Sequence, residues 1–276
     1  MEGGVARYIA RYVRNLRKSV LPVRQQQPRE GHVEMNLTVN NLSFGFAGGE
    51  ISVFSQMTLV VSGFRRLALL GPSGCGKSTL LKLIGGAIFP DSGSVSVNCD
   101  SLNMRAMFSY VSQEASLLPW LTVEASVSLG SRLADGGKER ASSTAARQSL
   151  VERLGLSGHE QKRVSQLSGG MKQRTALVSA LTSNADLLLL DEPFAGSDSV
   201  RRQTMHDALK EFSAGEGSAS SIFTTHDAAD VVALADAVVW LTGIPGDPPE
   251  IIDAKRGWGD TEKSRLATLM VGGILQ

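Results

Sequence analysis

The sequence predicts an α/β fold: a parallel-sheet core with an N-terminal antiparallel β subdomain and an inserted helical subdomain. Three observations carry the prediction. Compact apolar runs recur along the chain, "RRLALLG", "DLLLLDE", "ASSIFTTHD" and "DAVVWL", and read as strands buried on both faces. Helical patterns such as "KSTLLKLIGG" and "SVRRQTMHDALKEFSA" lie between them, the alternation that a parallel sheet requires. Ahead of these runs, from "VEMNLTVNNLSFGF" through "EISVFSQMTLVV", short alternating segments are separated by the Gly-rich "AGGE", a pattern of antiparallel strands.

In chain order, residues 1–31 come first as a basic arm and linker. In "VARYIARYVRNLRKSVL", Val5, Tyr8, Ile9, Tyr12, Val13, Leu16 and Val20 recur at helical spacing with arginines between them. Such an amphipathic helix suits an anionic lipid or acidic partner surface, or lays its apolar stripe on its own domain. "PVRQQQPREG" reads as the linker, punctuated by Pro22, Pro28 and Gly31. The main domain spans 32–242. "RRLALLG" stops at Gly71, and its glycine loop leads directly into the helix that begins "KST". "SGSVSVN" and "MFSYVSQ" are further strands. The region of about 115–180 holds helical candidates at 123–132, 143–154 and 170–182, with a turn near "DGGKERASS", and forms the helical insertion. Residues 243–276, with "GIPGDPPE" as connector, are a C-terminal extension too short for a sizeable regulatory domain.

Bulk composition excludes more than it selects. The chain carries 28 Lys+Arg against 27 Asp+Glu, so its overall charge nominates no nucleic-acid partner. Only the first thirty residues are strongly basic, with seven Arg and Lys against Glu2 and Glu30. Two cysteines, Cys75 and Cys99, give neither a disulfide framework nor a metal cluster. No apolar run reaches the roughly 18 residues of a membrane span, and the N-terminus lacks the apolar core of a secretory signal.

Chemistry concentrates at "GPSGCGKST", a complete G-x-x-x-x-G-K-[ST] loop made of Gly71, Pro72, Ser73, Gly74, Cys75, Gly76, Lys77, Ser78 and Thr79. Its glycines let backbone amides converge on phosphate oxygens, and the following helix start adds a favourable field. Lys77 is expected between the β- and γ-phosphates and Ser78 on Mg²⁺, so the core is of the P-loop NTPase kind with ATP and Mg²⁺ as its ligands. "LLLLDEPFAG" then explains itself: ligands bind beyond the carboxyl ends of buried parallel strands. Asp191 is expected to hold Mg²⁺ through water and Glu192 to polarise the attacking water.

With these residues in place the chain resembles the ATP-binding cassette (ABC) family, the ATPase subunits of ABC transporters, over roughly residues 36–242. "QLSGGMKQR" is similar to the cassette signature, "SYVSQ" ends in Gln113 like the glutamine loop, and "TTHD" holds His226 like the switch histidine, all in the family's order. The resemblance implies that Ser168, Gly169 and Gly170, small residues at a helix start, complete the ATP site of a second subunit in a head-to-tail dimer. It implies that Gln113 senses Mg²⁺ and the attacking water, that His226 contacts the γ-phosphate, that Asp198 lies on the loop crossing the dimer interface, and that Phe46 stacks on adenine, with Phe44 competing as a core or stacking residue. Three positions depart from the family's usual pattern: Phe in place of Tyr at the stacking position, Ser197 within "PFAGSD", and Ser179 where an Arg is common.

What work the ATPase drives also follows from the resemblance. "LLPWLTVEASVSLG" is similar to bacterial importer ATPases of the nitrate, sulfonate and taurine group. Pro119 and Trp120 then face a permease, although Trp120 also suits a core anchor. The implied partners are a second ATPase subunit, making a homodimer, separate transmembrane permease subunits and, indirectly, a solute-binding protein, with the chain peripheral on the cytoplasmic face of the bacterial inner membrane. Two other functions remain open: a soluble cassette ATPase acting on nucleic acid, against which no long coiled coil or basic, aromatic-interleaved surface is evident beyond the arm, and a nucleotide-binding interaction module with weak hydrolysis.

Overall fold

A computed structural model describes residues 34–46, 52–99, 108–134, 141–183, 185–214 and 219–274. The amphipathic helix expected within 1–31 lies outside them. Two sheets organise what is described. The first is antiparallel, with β1 (Met35–Gly45) central between β2 (Ser52–Phe64) and β4 (Ser92–Cys99). Its strands alternate buried and accessible side chains, as at Met35, Leu37 and Val39 of β1, so one face meets the core.

The second sheet runs β5 (Phe108–Val111), β6 (Leu187–Leu190), β7 (Ser220–Thr224), β3 (Arg66–Leu70), β8 (Ala237–Trp240), β9 (Glu250–Asp253). All neighbours are parallel except β8 and β9. The continuous leucines of β6 follow from its place inside this sheet. Leu187 and Leu189 pack into the core shared with the antiparallel sheet and α1 (Lys77–Ile84), whereas Leu188 and Leu190 pack into the core shared with the helical insertion. Both faces are covered, so every position of the strand is apolar.

The insertion consists of α2 (Val123–Ala134), α3 (Ala141–Arg153), a 3₁₀ turn at Val164–Gln166 and α4 (Gly169–Leu181). Ser179 donates to Ser126 O at 3.0 Å, so where an arginine is common this chain uses a short hydroxyl to tie α4 to α2. Then α5 (Ser199–Phe212) and α6 (Ala228–Leu234) follow β6 and β7, and α7 (Asp260–Ile274) closes the chain. α6, β9 and α7 have no separate signal in the local sequence pattern. β9 adds an antiparallel edge to β8 beyond the proline-rich connector, and α7 seats Leu266 in the core, 2% exposed.

This topology sets the position of the site. β5, β6, β7 and β3 are adjacent and parallel, so their carboxyl ends lie along one edge. The residues just beyond those ends are Gln113, Asp191 with Glu192, His226, and the loop beginning at Gly71.

Candidate functional site

The loop after β3 takes its shape from backbone conformations open to glycine. Gly71, Gly74 and Gly76 have φ of 147°, 81° and 100°. A Cβ on Gly76 would stand 2.7 Å from Phe54 Cζ and 2.8 Å from Val53 Cγ1, so the backbone is pressed against β2 with no room for a side chain. α1 starts at Lys77 with Gly76 as its cap, leaving first-turn amides free to bind an anion. Lys77 Nζ donates to Gly71 O and Pro72 O, each at 2.8 Å. Neutral carbonyls are weaker acceptors than phosphate oxygens, so these bonds can be exchanged for a phosphate. Cys75 is buried beneath the loop and its thiol is pushed up by burial, against the pull of Lys77, so it is a packed neutral group.

Asp191 is 4% exposed. A buried carboxylate without partners would be costly, and here three hydroxyls from three different elements donate to it. Ser78 Oγ and Thr224 Oγ1 reach Oδ1 at 2.9 Å each, and Tyr110 OH reaches Oδ2 at 3.3 Å. Burial first, and Asp191 second, hold the Tyr110 phenol far above its ordinary range, so it stays a donor. Ser78 and Asp191 offer only oxygen donors, the set that Mg²⁺ takes. Tyr110 and Thr224 were not singled out from the sequence. Each sits beside a motif, in "SYVSQ" and "TTHD", but nothing local marks a tyrosine or threonine as the partner of a distant carboxylate.

Glu192 follows with φ 51°, a left-handed conformation rare for a residue of its size. Strain of this kind, about 1–3 kcal/mol, persists only where surroundings enforce it. Here the Glu192 amide donates to Thr224 Oγ1 at 2.8 Å, and Glu192 Oε2 accepts from His226 Nδ1 at 2.9 Å. A carboxylate only accepts, which puts the proton of that pair on Nδ1. Ser78, Asp191, Thr224, Glu192 and His226 thus form one continuous chain of hydrogen bonds. The His226 side chain is 72% exposed and that of Glu192 16%, so the chain runs from buried carboxylate to open surface.

The other expected residues stand outside that chain. Gln113 is exposed in the turn after β5. Phe46 is 56% exposed and Phe44 8%, with ring centroids 5.1 Å apart in an edge-to-face pair, so Phe44 belongs to the core and Phe46 packs on it with much of its ring exposed. Ser168 caps α4 by accepting from Met171 N at 3.3 Å, and a Cβ on Gly169 would meet nothing within 4 Å. Asp198 caps α5, accepting from Arg201 N at 2.9 Å, and that amide is the main cause holding its carboxyl below the usual range. Trp120 is 65% exposed and so is not a core anchor.

Residues 54–195 match the model of the family described as ABC transporter. The chain is 34% identical over 215 residues to the aliphatic sulfonates import ATP-binding protein SsuB of Bacillus licheniformis, covering 78% of this chain and 82% of that protein. It is 36% identical over 203 residues to the taurine import ATP-binding protein TauB of Yersinia pestis, covering 73% and 78%. Among solved structures, an ATP-binding subunit of an ABC transporter superposes with a TM-score of 0.67 at 25% identity, covering 84% of this chain and 99% of that one.

Proposed function

The chain belongs to the ABC transporter family, and on that premise we propose that it is the ATP-hydrolysing subunit of an importer whose permease is a separate polypeptide. The observation that carries the reading is the hydrogen-bonded run from Ser78 through Asp191 and Thr224 to Glu192 and His226, at the strand edge where the glycine loop opens. Lys77 and the first-turn amides of α1 bind the phosphates, and Phe46 stacks on the base. Ser78 and Asp191 hold Mg²⁺, which neutralises charge on the phosphates when bound. Glu192, fixed at both its amide and its carboxylate, takes a proton from water as the water oxygen attacks the γ-phosphorus and the bridging P–O bond to ADP breaks. His226, anchored on Glu192 through Nδ1, leaves Nε2 to face the γ-phosphate.

The signature segment works on a second copy. Gly169 is bare although no packing among the described residues requires it, which supports the approach of another molecule to the start of α4. Head-to-tail pairing of two chains then places Ser168 on the partner's ATP, and hydrolysis removes the bridge between them. In the helical insertion a cleft of ≈ 140 Å³ is lined by Leu118, Leu121, Ser126, Leu129 and Ser179, and Trp120, exposed nearby in the chain, supports contact of this segment with a permease. Among the described residues no helix is long and apolar enough to cross a membrane, in keeping with a peripheral subunit at the cytoplasmic face. The relatives named for sulfonate and taurine import support a small anionic or zwitterionic solute, in the group that also takes nitrate.

Glu192→Gln tests the core of the reading. It is expected to keep ATP binding, lose hydrolysis by about 100-fold or more, and accumulate an ATP-dependent dimer on size-exclusion chromatography. Hydrolysis at the wild-type rate, or a persistent monomer with ATP bound, contradicts it.

A further inference from the structure

Behind the phosphate-binding residues, a buried cluster joins the two loops that carry Glu192 and His226. Asp230, in α6, is 1% exposed. Its Oδ1 faces His206 Nε2 at 2.9 Å and the Arg202 guanidinium at 3.5 Å, and its Oδ2 accepts from the Thr225 hydroxyl at 2.6 Å. The Thr225 oxygen in turn accepts from Asp227 N at 3.1 Å. Asp227 caps α6 by accepting from Ala229 N at 2.8 Å and binds Arg202 through its other oxygen. Both chain neighbours of His226 are therefore held by this cluster. On its other side, His206 packs edge-to-face with Phe194, with centroids 4.7 Å apart and planes at 87°. Phe194 is 2% exposed and stands two residues after Glu192.

Stability alone is a poor reason for such an arrangement, because apolar side chains of similar volume generally stabilise a core as well as a buried ion cluster does. What directional bonds add is fixed geometry. We propose that Asp230, with His206 and Arg202, is a positioning residue for hydrolysis: it fixes the turn carrying His226 against the loop running from Glu192 to Asp198, and so keeps His226 Nδ1 on Glu192 Oε2. Among the described residues His206 Nδ1 is buried without a partner, so the useful proton of this ring is the one that Nε2 donates to Asp230. A glutamine at 206 can make the same donation through its amide, and a leucine cannot. The inference rests on the assignment of Glu192 as the base.

The test uses the full chain, with steady-state ATP hydrolysis in Mg²⁺ beside equilibrium binding of a fluorescent ATP analogue. Asp230→Asn is expected to lower kcat about tenfold or more while the nucleotide Kd stays within about threefold, the split expected when geometry for chemistry is lost and binding is not. His206→Leu shifts kcat in the same direction, and His206→Gln keeps at least about half the wild-type rate because it keeps the donor. A merely structural cluster would lower Tm and leave kcat per folded molecule unchanged. Asp230→Asn with kcat within about twofold of wild type overturns the inference, as does His206→Gln no better than His206→Leu. Should Asp230→Asn fail to fold, Thr225→Val removes only the hydroxyl between Asp230 and Asp227 N and carries the same two criteria. Glu192→Gln, measured alongside, separates the failures. A wild-type rate there overturns the base assignment, whereas an inactive Glu192→Gln beside a fully active Asp230→Asn overturns only the positioning role.

Discussion

Asp191 and Ser168 both belong to segments assigned to a nucleotide site, and the chain treats them in opposite ways. Asp191 is buried and receives hydroxyls from α1, β5 and β7, three elements brought together only by the fold. Ser168 is exposed, and its side chain makes a local cap, accepting from Met171 N three residues on. Around the first, the backbone is constrained at two points: Gly76 has no space for a methyl group, and Glu192 is held left-handed. Around the second there is room, since a Cβ at Gly169 meets nothing. Preorganised polar groups in a protected site are suited to binding and to charge development. An open helix start with free amides is suited to a ligand presented from outside the chain. One region makes its polar contacts within a single molecule, and the other, on the proposed function, is half of a contact.

Substitutions that sharpen this contrast fall in a clear order. Lys77→Ala removes the only cation of the glycine loop and, on the first region's side, is expected to weaken ATP binding and lower hydrolysis by about 100-fold or more. Both are measured by nucleotide titration and phosphate release. Gly76→Ala acts through the backbone. It must hold φ near 100° and displace Phe54 and Val53, so a loss of about 2–3 kcal/mol in stability is expected, with weakened ATP binding. Thermal denaturation reads the first and nucleotide titration the second. Wild-type stability for Gly76→Ala would mean that the loop is not constrained as described.

How much of this contrast was legible in the sequence depended on where the chemistry lies along the chain. The loop from Gly71 to Thr79, the pair Asp191 and Glu192, and the capped start at Ser168 are local patterns, because backbone amides, strand ends and helix caps each fix residue types at short spacing. The β6 leucines announced a strand covered on both faces for the same local reason. Tyr110 and Thr224 stayed silent because their bonds to Asp191 span 81 and 33 residues, and only the order of strands in the sheet brings them together. The His206 to Asp230 pair spans 24 residues and is equally invisible before the fold is known. α6 is hidden by its length, seven residues, and α7 by its polar opening "DTEKSR", which precedes the deeply buried Leu266.

On the second region's side, Ser168→Ala separates what happens within the chain from what happens between chains. Losing the cap costs about 1 kcal/mol of helix stability, a small shift in Tm. If the start of α4 meets a partner's nucleotide, hydrolysis falls further than that, by about tenfold, while binding of ATP to the isolated subunit, measured at low protein concentration, is unchanged. A variant that loses ATP affinity as a monomer would erase the distinction drawn here, because Ser168 would then act on its own chain's nucleotide.

The smallest effect is expected at Tyr110→Phe, and it asks whether Asp191 is over-supplied with donors. The phenol is the longest of its three bonds, at 3.3 Å against 2.9 Å for the two others, and Ser78 and Thr224 remain when it is removed. A bond of that kind contributes about 0.5–1 kcal/mol, so the Mg²⁺ concentration for half-maximal hydrolysis should rise about two- to fivefold with kcat at saturating Mg²⁺ nearly unchanged. The sign of the phenol's shift sharpens the measurement. Burial and the neighbouring carboxylate hold its proton on well past the ordinary tyrosine range, so wild type and Tyr110→Phe should differ by the same factor from pH 7 to about pH 10, where an ordinary tyrosine would be half ionised. A difference that vanishes as pH approaches 10 would mean that the hydroxyl ionises normally and is not buried against Asp191. A loss of hydrolysis as large as that of Lys77→Ala would mean instead that the carboxylate depends on this one donor, and that the site is far less redundantly held than its three hydroxyls imply.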